Sequence, residues 1–434
     1  MPRGMAARHT RHEARREIRE LTIERVGAQG DGVAPDPQTG PVFVPLTLPG
    51  ERVRAEVAGE RGELAAVLDA SAARVAPPCR HFGACGGCAL QHWAQAPYLA
   101  WKAEQIRIAL ARERLETDIL PPFAAQPHTR RRLALHARQG REGAATIGFK
   151  ARRSWSLTPI EVCPIADPRL VAAFPALRAL AAPLFEQPKS APTLHVTLTA
   201  TGLDVDITGV ERRAGGLSGD ARARVAEAAA AADFARVTLG GEILYQARAP
   251  LVRIGRAAVA LPPGAFLQAV AEAETAMAGF VREALAGARS IADLYCGVGA
   301  FALRLAEGAA IGAFDIAAPA IAALRAAHGA APGLKAVTAE PRDLVRRPVL
   351  AAELSRFEAV VIDPPRAGAA DQHRELAKSQ VARIAGVSCN PASFARDARI
   401  LTDAGFTLAR VLPVDQFLWS PHVELVGVFE RNRA

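Results

Sequence analysis

The segment Ser388-Cys389-Asn390-Pro391 follows the apolar, β-like run VARIAGV, so Cys389 falls where a predicted strand ends. Pro391 suits the first turn of a helix, where its missing N–H costs nothing. A thiol at that junction sits near the partial positive charge of a helix N-terminus, which lowers its pKa and favours the thiolate. Cys389 is therefore a candidate nucleophile, against the plain alternative of a buried cysteine closing a strand. Asp363-Pro364-Pro365-Arg366 repeats the arrangement after AVVI and puts a carboxylate at the carboxyl edge of a sheet, where ligands of open α/β folds bind. Glu424 opens the last strand-like segment, at the mouth of the same sheet. Beside a nucleophile it would be a base, although its residue pattern alone describes an ordinary surface glutamate.

Asp293-Leu294-Tyr295-Cys296-Gly297-Val298-Gly299 ends another predicted strand and enters a helix, and Asp315 ends the strand after it. Glycines let backbone approach a ligand closely, and an acidic residue at the end of the second strand can accept from ribose hydroxyls. The loop lacks the full G-x-G-x-x-G spacing of a pyrophosphate site, which favours S-adenosylmethionine over NAD. Cys296, inside that loop, reads as a packing residue. Four further cysteines stand apart: Cys79, Cys85 and Cys88 as C-x5-C-x2-C, and the distant Cys163 in E-V-C-P. Four thiolates suit either a [4Fe–4S] cluster or a structural zinc.

The elements that would carry these groups fall into three parts after a basic tail at residues 1–17. Residues 18–76 alternate short β-like runs with turn signals, and Gly27, Gly30 and Gly32 stand where tight turns call for positive φ, so a small β-barrel is predicted. Residues 77–258 form a central α+β region with the cysteine cluster. Its strands carry Arg130, Arg131, Arg132 and Arg138, then Lys150, Arg152 and Arg153, with an alternation that predicts one basic face. Residues 259–434 alternate apolar strands with alanine-rich helices, the pattern of a parallel sheet covered on both faces. Its last two strands are joined by a loop alone and should pair antiparallel. That predicts an α/β, Rossmann-like sheet of seven strands, as in S-adenosylmethionine-dependent methyltransferases.

The 434-residue chain carries a formal net charge of +9, which favours a polyanionic partner such as RNA. No charge-free apolar stretch is long enough for a membrane span, and the arginine-rich start lacks the apolar core of a signal peptide. A cytoplasmic, monomeric enzyme is expected, with no membrane and no obligate protein partner. Disulfides are not expected in that compartment.

GDGVA, VFVP and LPGERV, then CRHFGACGGCALQH with EVCPI, then FLQ, DLYCGVGAF, DPPRAG, SCNPASFARD and PVDQFLWSPHVELV occur in one order along nearly the whole chain. Together they resemble the RNA (uracil-5-)-methyltransferases, specifically the iron–sulfur members that act on 23S ribosomal RNA. The resemblance implies an N-terminal TRAM domain that binds RNA and a [4Fe–4S] cluster on Cys79, Cys85, Cys88 and Cys163. It implies that Gln268, Tyr295, Asp315, Asp363 and, in the acidic loop after the third strand, Asp343 contact S-adenosylmethionine. Cys389 would be the nucleophile and Glu424 the proton acceptor. Transfer RNA is the rival substrate, disfavoured because the resembling tRNA enzymes lack the barrel and the cysteines. A non-catalytic RNA-binding or assembly protein is the rival of another class, disfavoured by intact Cys389 and Glu424.

Overall fold

The computed structural model describes residues 16–36, 40–140, 143–211 and 216–432. Of the basic tail, only Arg16 and Glu17 lie among them. The chain divides into two compact units: one runs to Pro77 and includes Ala89–Tyr98, and the other comprises Pro78–Cys88 and Leu99–Ala434.

The first unit is a six-stranded sheet that closes on itself. Residues Glu17–Thr22 pair with Arg52–Ala58, while Arg25–Val26, almost directly continuous with them, pair with Gly32–Ala34 at the other end of the strand order. One run of chain thus forms both ends of the sheet, which removes its free edges. Inside are Leu21, Ile23, Val42, Val44, Val53, Ala55 and Val57. Among the three glycines expected at positive φ, only Gly30 has it, at 78°. Gly32 is needed for space instead: a Cβ there would lie 2.0 Å from Thr47 Oγ1 and 2.9 Å from Ile23 Cγ2.

The second unit holds two large sheets. A seven-stranded sheet, in the order 157–159, 145–150, 132–139, 193–199, 202–208, 236–239 and 242–246, packs the helices Phe174–Ala181 and Gly219–Ala231 over a core that includes Leu135, Leu177, Val205 and Val225. The other is the α/β sheet. Its strands are β1 (Ser290–Leu294), β2 (Ala310–Asp315), β3 (Val337–Pro341), β4 (Ala359–Ile362), β5 (Arg383–Ser388), β6 (Phe406–Asp415) and β7 (Glu424–Arg431), in the order β3-β2-β1-β4-β5-β7-β6. β1 to β5 are parallel, and β7 is antiparallel to both β5 and β6. The sheet has nine strands rather than seven. Asp118–Ile119 and Phe123–Ala124, each too short to show a periodicity, add in parallel to the outer side of β6. The chain reaches them from the helix α1 (Gln95–Arg112).

The carboxyl edge of this sheet collects the chemistry because every parallel strand ends there. β4 delivers Asp363 and β5 delivers Cys389. Ser388 pairs with Leu425, so Cys389, one residue beyond, and Glu424, one residue before, emerge side by side. Beneath them the helix Pro391–Asp403 lays Phe394 across Gly386 and Gly427, where a Cβ on Gly427 would come within 2.3 Å of that ring. None of the helices among the described residues is long and apolar enough to cross a membrane.

Candidate active site

A cavity of about 900 Å³ opens over the carboxyl edge, and Gln268, Tyr295, Asp315, Asp343, Asp363, Cys389 and Glu424 all line it. The glycine loop forms one side. Asp315 accepts from Gly297 N at 2.9 Å through one oxygen and from Ala317 N at 2.8 Å through the other, which fixes the loop and leaves each oxygen a lone pair for a ligand hydroxyl. Tyr295 has φ 64°, a conformation rare for a residue with a side chain and typical of ligand-holding turns. Asp293, fully buried under the loop, accepts from Ala302 N at 2.8 Å and so caps the helix beyond it. Asp343 likewise caps its own turn through Val345 N and Arg346 N.

On the other side a buried polar chain runs from Asp363 to Glu424. Gln268 Nε2 donates to Asp363 Oδ2 at 3.4 Å, and Gln416 Nε2 donates both to Gln268 Oε1 at 2.7 Å and to Glu424 Oε2 at 2.8 Å. Gln416 Oε1 accepts from Ala269 N at 3.0 Å, which fixes which end of the amide points where. Burial pushes Asp363 up to about 7 and Glu424 up to about 8, the latter raised further by the Asp363 charge. Both carboxyls thus resist ionisation, and Gln268 and Gln416 link them.

Cys389 is half-buried, and its thiol pKa lies above the ordinary value, not below it as the helix N-terminus led us to expect. Burial raises it, and so do the charges of Glu424 and Asp363, against which Arg366 pulls only partly back. The helix end is also already served: Asn390 is its N-cap and accepts from Ala392 N at 3.2 Å. Cys296 sits 5% exposed, its thiol pushed well up by burial, as suits a packing residue.

Arg131 and Arg132 turn inward, while Arg138 and Arg153 of the expected basic face are exposed. Arg131 donates to the Gln268 carbonyl at 3.0 Å and pairs with buried Glu274, while Arg132 donates to the carbonyls of Leu267 and Ala265 at 2.8 and 3.2 Å. These side chains brace the Phe266-Leu267-Gln268 loop, whose backbone has no sheet to satisfy it. Phe266 itself is 70% exposed, with the Arg132 guanidinium 5.5 Å from its ring centre. Cation and exposed aromatic do meet outside the cavity, where Lys150 lies 3.9 Å from the ring centre of Trp155, 84% exposed.

Of the other four cysteines, Cys163 and Cys88 lie within electrostatic reach of Arg130, and Cys85 and Cys79 within reach of Cys163. All are free of disulfides and only partly buried. The sulfur of Cys85 accepts from Gly87 N at 3.4 Å, and the backbone carbonyl of Cys163 accepts from Ala166 N at 3.1 Å. Burial raises both thiols, each further by the charge of a neighbouring cysteine. Among the described residues no three His, Cys, Asp or Glu side chains converge closely enough to hold a single metal ion, so the expected metal site is not formed as a point of convergence.

Sequence reasoning missed Gln416 and Lys102. The first is a polar side chain at the end of a strand that is otherwise apolar on its inner face. The second is a cation on the buried stripe of α1, between Tyr98 and Ile106, all three fully buried. A helical-period reading of α1 shows it.

The sheet order, the glycine loop with its acidic partner and the cavity over them define an S-adenosylmethionine-dependent methyltransferase. Residues 255–433 match the tRNA (Uracil-5-)-methyltransferase family. An RNA methyltransferase of Caulobacter vibrioides whose activity is uncharacterised is 65% identical over 95% of this chain and 100% of its own. A 23S rRNA (uracil(1939)-C(5))-methyltransferase of Halomonas elongata is 34% identical over 95% of this chain and 89% of its own. The chain belongs to the RNA (uracil-5-)-methyltransferase family. In fold it is similar to the tRNA (uracil-54, C5)-methyltransferase of Pyrococcus abyssi, solved with S-adenosyl-L-homocysteine, at TM-score 0.72 and 22% identity over 94% of this chain and 99% of that one.

Proposed function

We propose that the protein methylates carbon 5 of a uridine in 23S ribosomal RNA, with Cys389 as nucleophile and Glu424 as base. The observation that carries this is the meeting of Cys389, Glu424 and Asp363 in the cavity that also holds the glycine loop and Asp315. Uracil carbon 5 is too weak a nucleophile to take a methyl group unaided. The Cys389 thiolate adds to carbon 6, and the electrons of the C5–C6 double bond move onto the carbon 4 carbonyl as an enolate. Carbon 5 then takes the methyl group; bound S-adenosylmethionine supplies it from its sulfonium. Glu424 removes the carbon 5 proton, the double bond reforms and the thiolate leaves. Asp315 and the Gly297 backbone would hold the cofactor's nucleoside part, and Tyr295, Asp343, Gln268 and Asp363 line the space for the rest. The negative charges that hold the Cys389 thiol up are the ones a cationic methyl donor offsets.

A uridine stacked in a helix cannot present both ring carbons, so the target is unstacked or flipped into the cavity. Trp155 with Lys150, the exposed ring of Phe266 and the closed N-terminal sheet, read as a TRAM domain, offer flanking RNA stacking and phosphate contacts. Such a substrate implies a cytoplasmic enzyme. Ribosomal RNA is favoured by the named relative from Halomonas and by the four cysteines; the family description and the archaeal fold neighbour keep transfer RNA as the second reading. Mapping 5-methyluridine after deletion of the gene tests this. Loss of one or two sites in 23S rRNA is expected, while loss in tRNA alone would overturn the substrate.

We read the four cysteines as the ligands of a [4Fe–4S] cluster, a reading supported by their number and by the electrostatic reach of Cys163 to Cys85 and Cys79. Cys79, Cys85, Cys88 and Cys163 would hold it, and since methyl transfer needs no redox step its contribution there is to hold the loops together. Anaerobically purified protein should contain about four iron and four sulfide per chain. Stoichiometric zinc without iron would refute the cluster.

A further inference from the structure

Lys102 on α1 is fully buried. Its ammonium reaches across to a distant part of the chain: it pairs with Asp415, also fully buried, and donates to the carbonyls of Phe417 at 3.2 Å and His422 at 2.6 Å. All three acceptors lie in the stretch that leaves β6 and returns as β7. Gln416 sits between two of them, and Glu424 comes two residues after the last. Within the same stretch Trp419 is held at φ 57°, a backbone state that surrounding structure must impose on a residue with a side chain. A buried ion pair is a poor device for raw stability, since desolvation cancels much of the attraction, but it fixes geometry well. Gln416 completes the link: its amide is locked by Ala269 N and presents its NH₂ to Glu424 Oε2.

We infer that Lys102 and Gln416 are positioning residues for proton removal: Lys102 pins the β6–β7 connection at three points, and Gln416 transmits that fixed position to the Glu424 carboxylate. The inference rests on Glu424 being the base. It predicts a selective defect, because thiolate addition and methyl transfer precede the step that Glu424 performs.

Lys102→Met and Gln416→Met remove the contacts at nearly constant volume. Each is compared with wild type on 23S rRNA transcribed with uridine or with 5-fluorouridine, whose fluorine stops the reaction before elimination. The expected result is a covalent adduct on the fluorinated RNA at close to the wild-type rate. Turnover on uridine RNA should fall about 10–100-fold, the effect of misplacing a reacting group by about 1 Å, and methylated adduct should accumulate. If trapping and turnover fall together, or if turnover is unchanged, the positioning role is wrong. Gln416→Met leaves the ion pair in place, so it carries the test if Lys102→Met does not fold, as judged by S-adenosylhomocysteine binding. A wild-type enzyme that neither traps on the fluorinated RNA nor makes 5-methyluridine overturns the proposed function instead, whatever the variants do.

Discussion

Cys389→Ala makes no 5-methyluridine and forms no covalent complex with RNA, a loss on the order of 10⁴-fold or more in turnover. Without a sulfur at the end of β5 there is nothing to add to carbon 6, so carbon 5 never becomes nucleophilic and no adduct exists to trap. Binding of S-adenosylhomocysteine should persist, because Asp315 and the Gly297 backbone that would hold its nucleoside part belong to β1, β2 and their loops. Denaturing electrophoresis of 5-fluorouridine RNA with wild type and variant reads the difference directly, and peptide mapping locates the attached residue. Attachment at Cys296, or retained turnover in the alanine variant, would remove Cys389 from the mechanism. Cys296 is a poor competitor: it is nearly inaccessible, and its thiol resists ionisation.

Glu424→Gln fails later and differently. The amide keeps the shape and can still pair with Gln416, so addition and methyl transfer proceed, while proton removal slows by about 10²–10⁴-fold. A methylated protein–RNA adduct should build up on ordinary uridine RNA, where wild type shows none. Turnover at the wild-type rate would show that another group or a water is the base. The wild-type pH profile depends on the same residue. Glu424 must be anionic to act, and with its pKa pushed up to about 8 the rate should climb through pH 7–9 instead of levelling off near 5. The linked effect on stability has the opposite sense. The folded protein binds a proton at Glu424 that the unfolded chain has released above about 4.5, so stability drains away as pH rises from there through about 8. At pH 9 Glu424→Gln should therefore melt measurably higher than wild type, and at pH 4 the two should coincide. Asp363 beside it, raised in the same way, sharpens the trade between a stable site and a reactive one.

The strand–glycine–helix signature, the carboxylate after AVVI and the cysteine after VARIAGV were legible because each rests on local chain geometry: an apolar strand must be buried, and the residue after its last turn of pleat must emerge at one edge. The antiparallel ending of the sheet was legible for the same reason, since no helix separates β6 from β7. The features that escaped were set by distant parts of the chain. The Cys389 thiol is raised by its burial and then by the charges of Glu424 and Asp363, neither near it in sequence, so the local pattern of a helix end did not reveal its state. Arg131 and Arg132 looked like a surface stripe because alternation in a strand says which side a residue faces, not what packs against that side. Gln416 and Lys102 carry no motif at all; their meaning lies in one another's neighbours.

Asp118–Ile119 and Phe123–Ala124 finish the outer side of the catalytic sheet, and Lys102 meets a partner 313 positions along the chain. During synthesis the ribosome therefore releases α1 and these two short strands long before β6 exists to receive them. Loop closure over such a span is slow relative to local folding. Until β6 emerges, a lysine destined for a dry interior waits in water and two strand fragments wait unpaired. The later-made β6, not α1, completes the sheet edge and supplies the partner of that lysine. A chain truncated before β6 lacks both the acceptor of that lysine and the strand that receives Asp118–Ile119 and Phe123–Ala124.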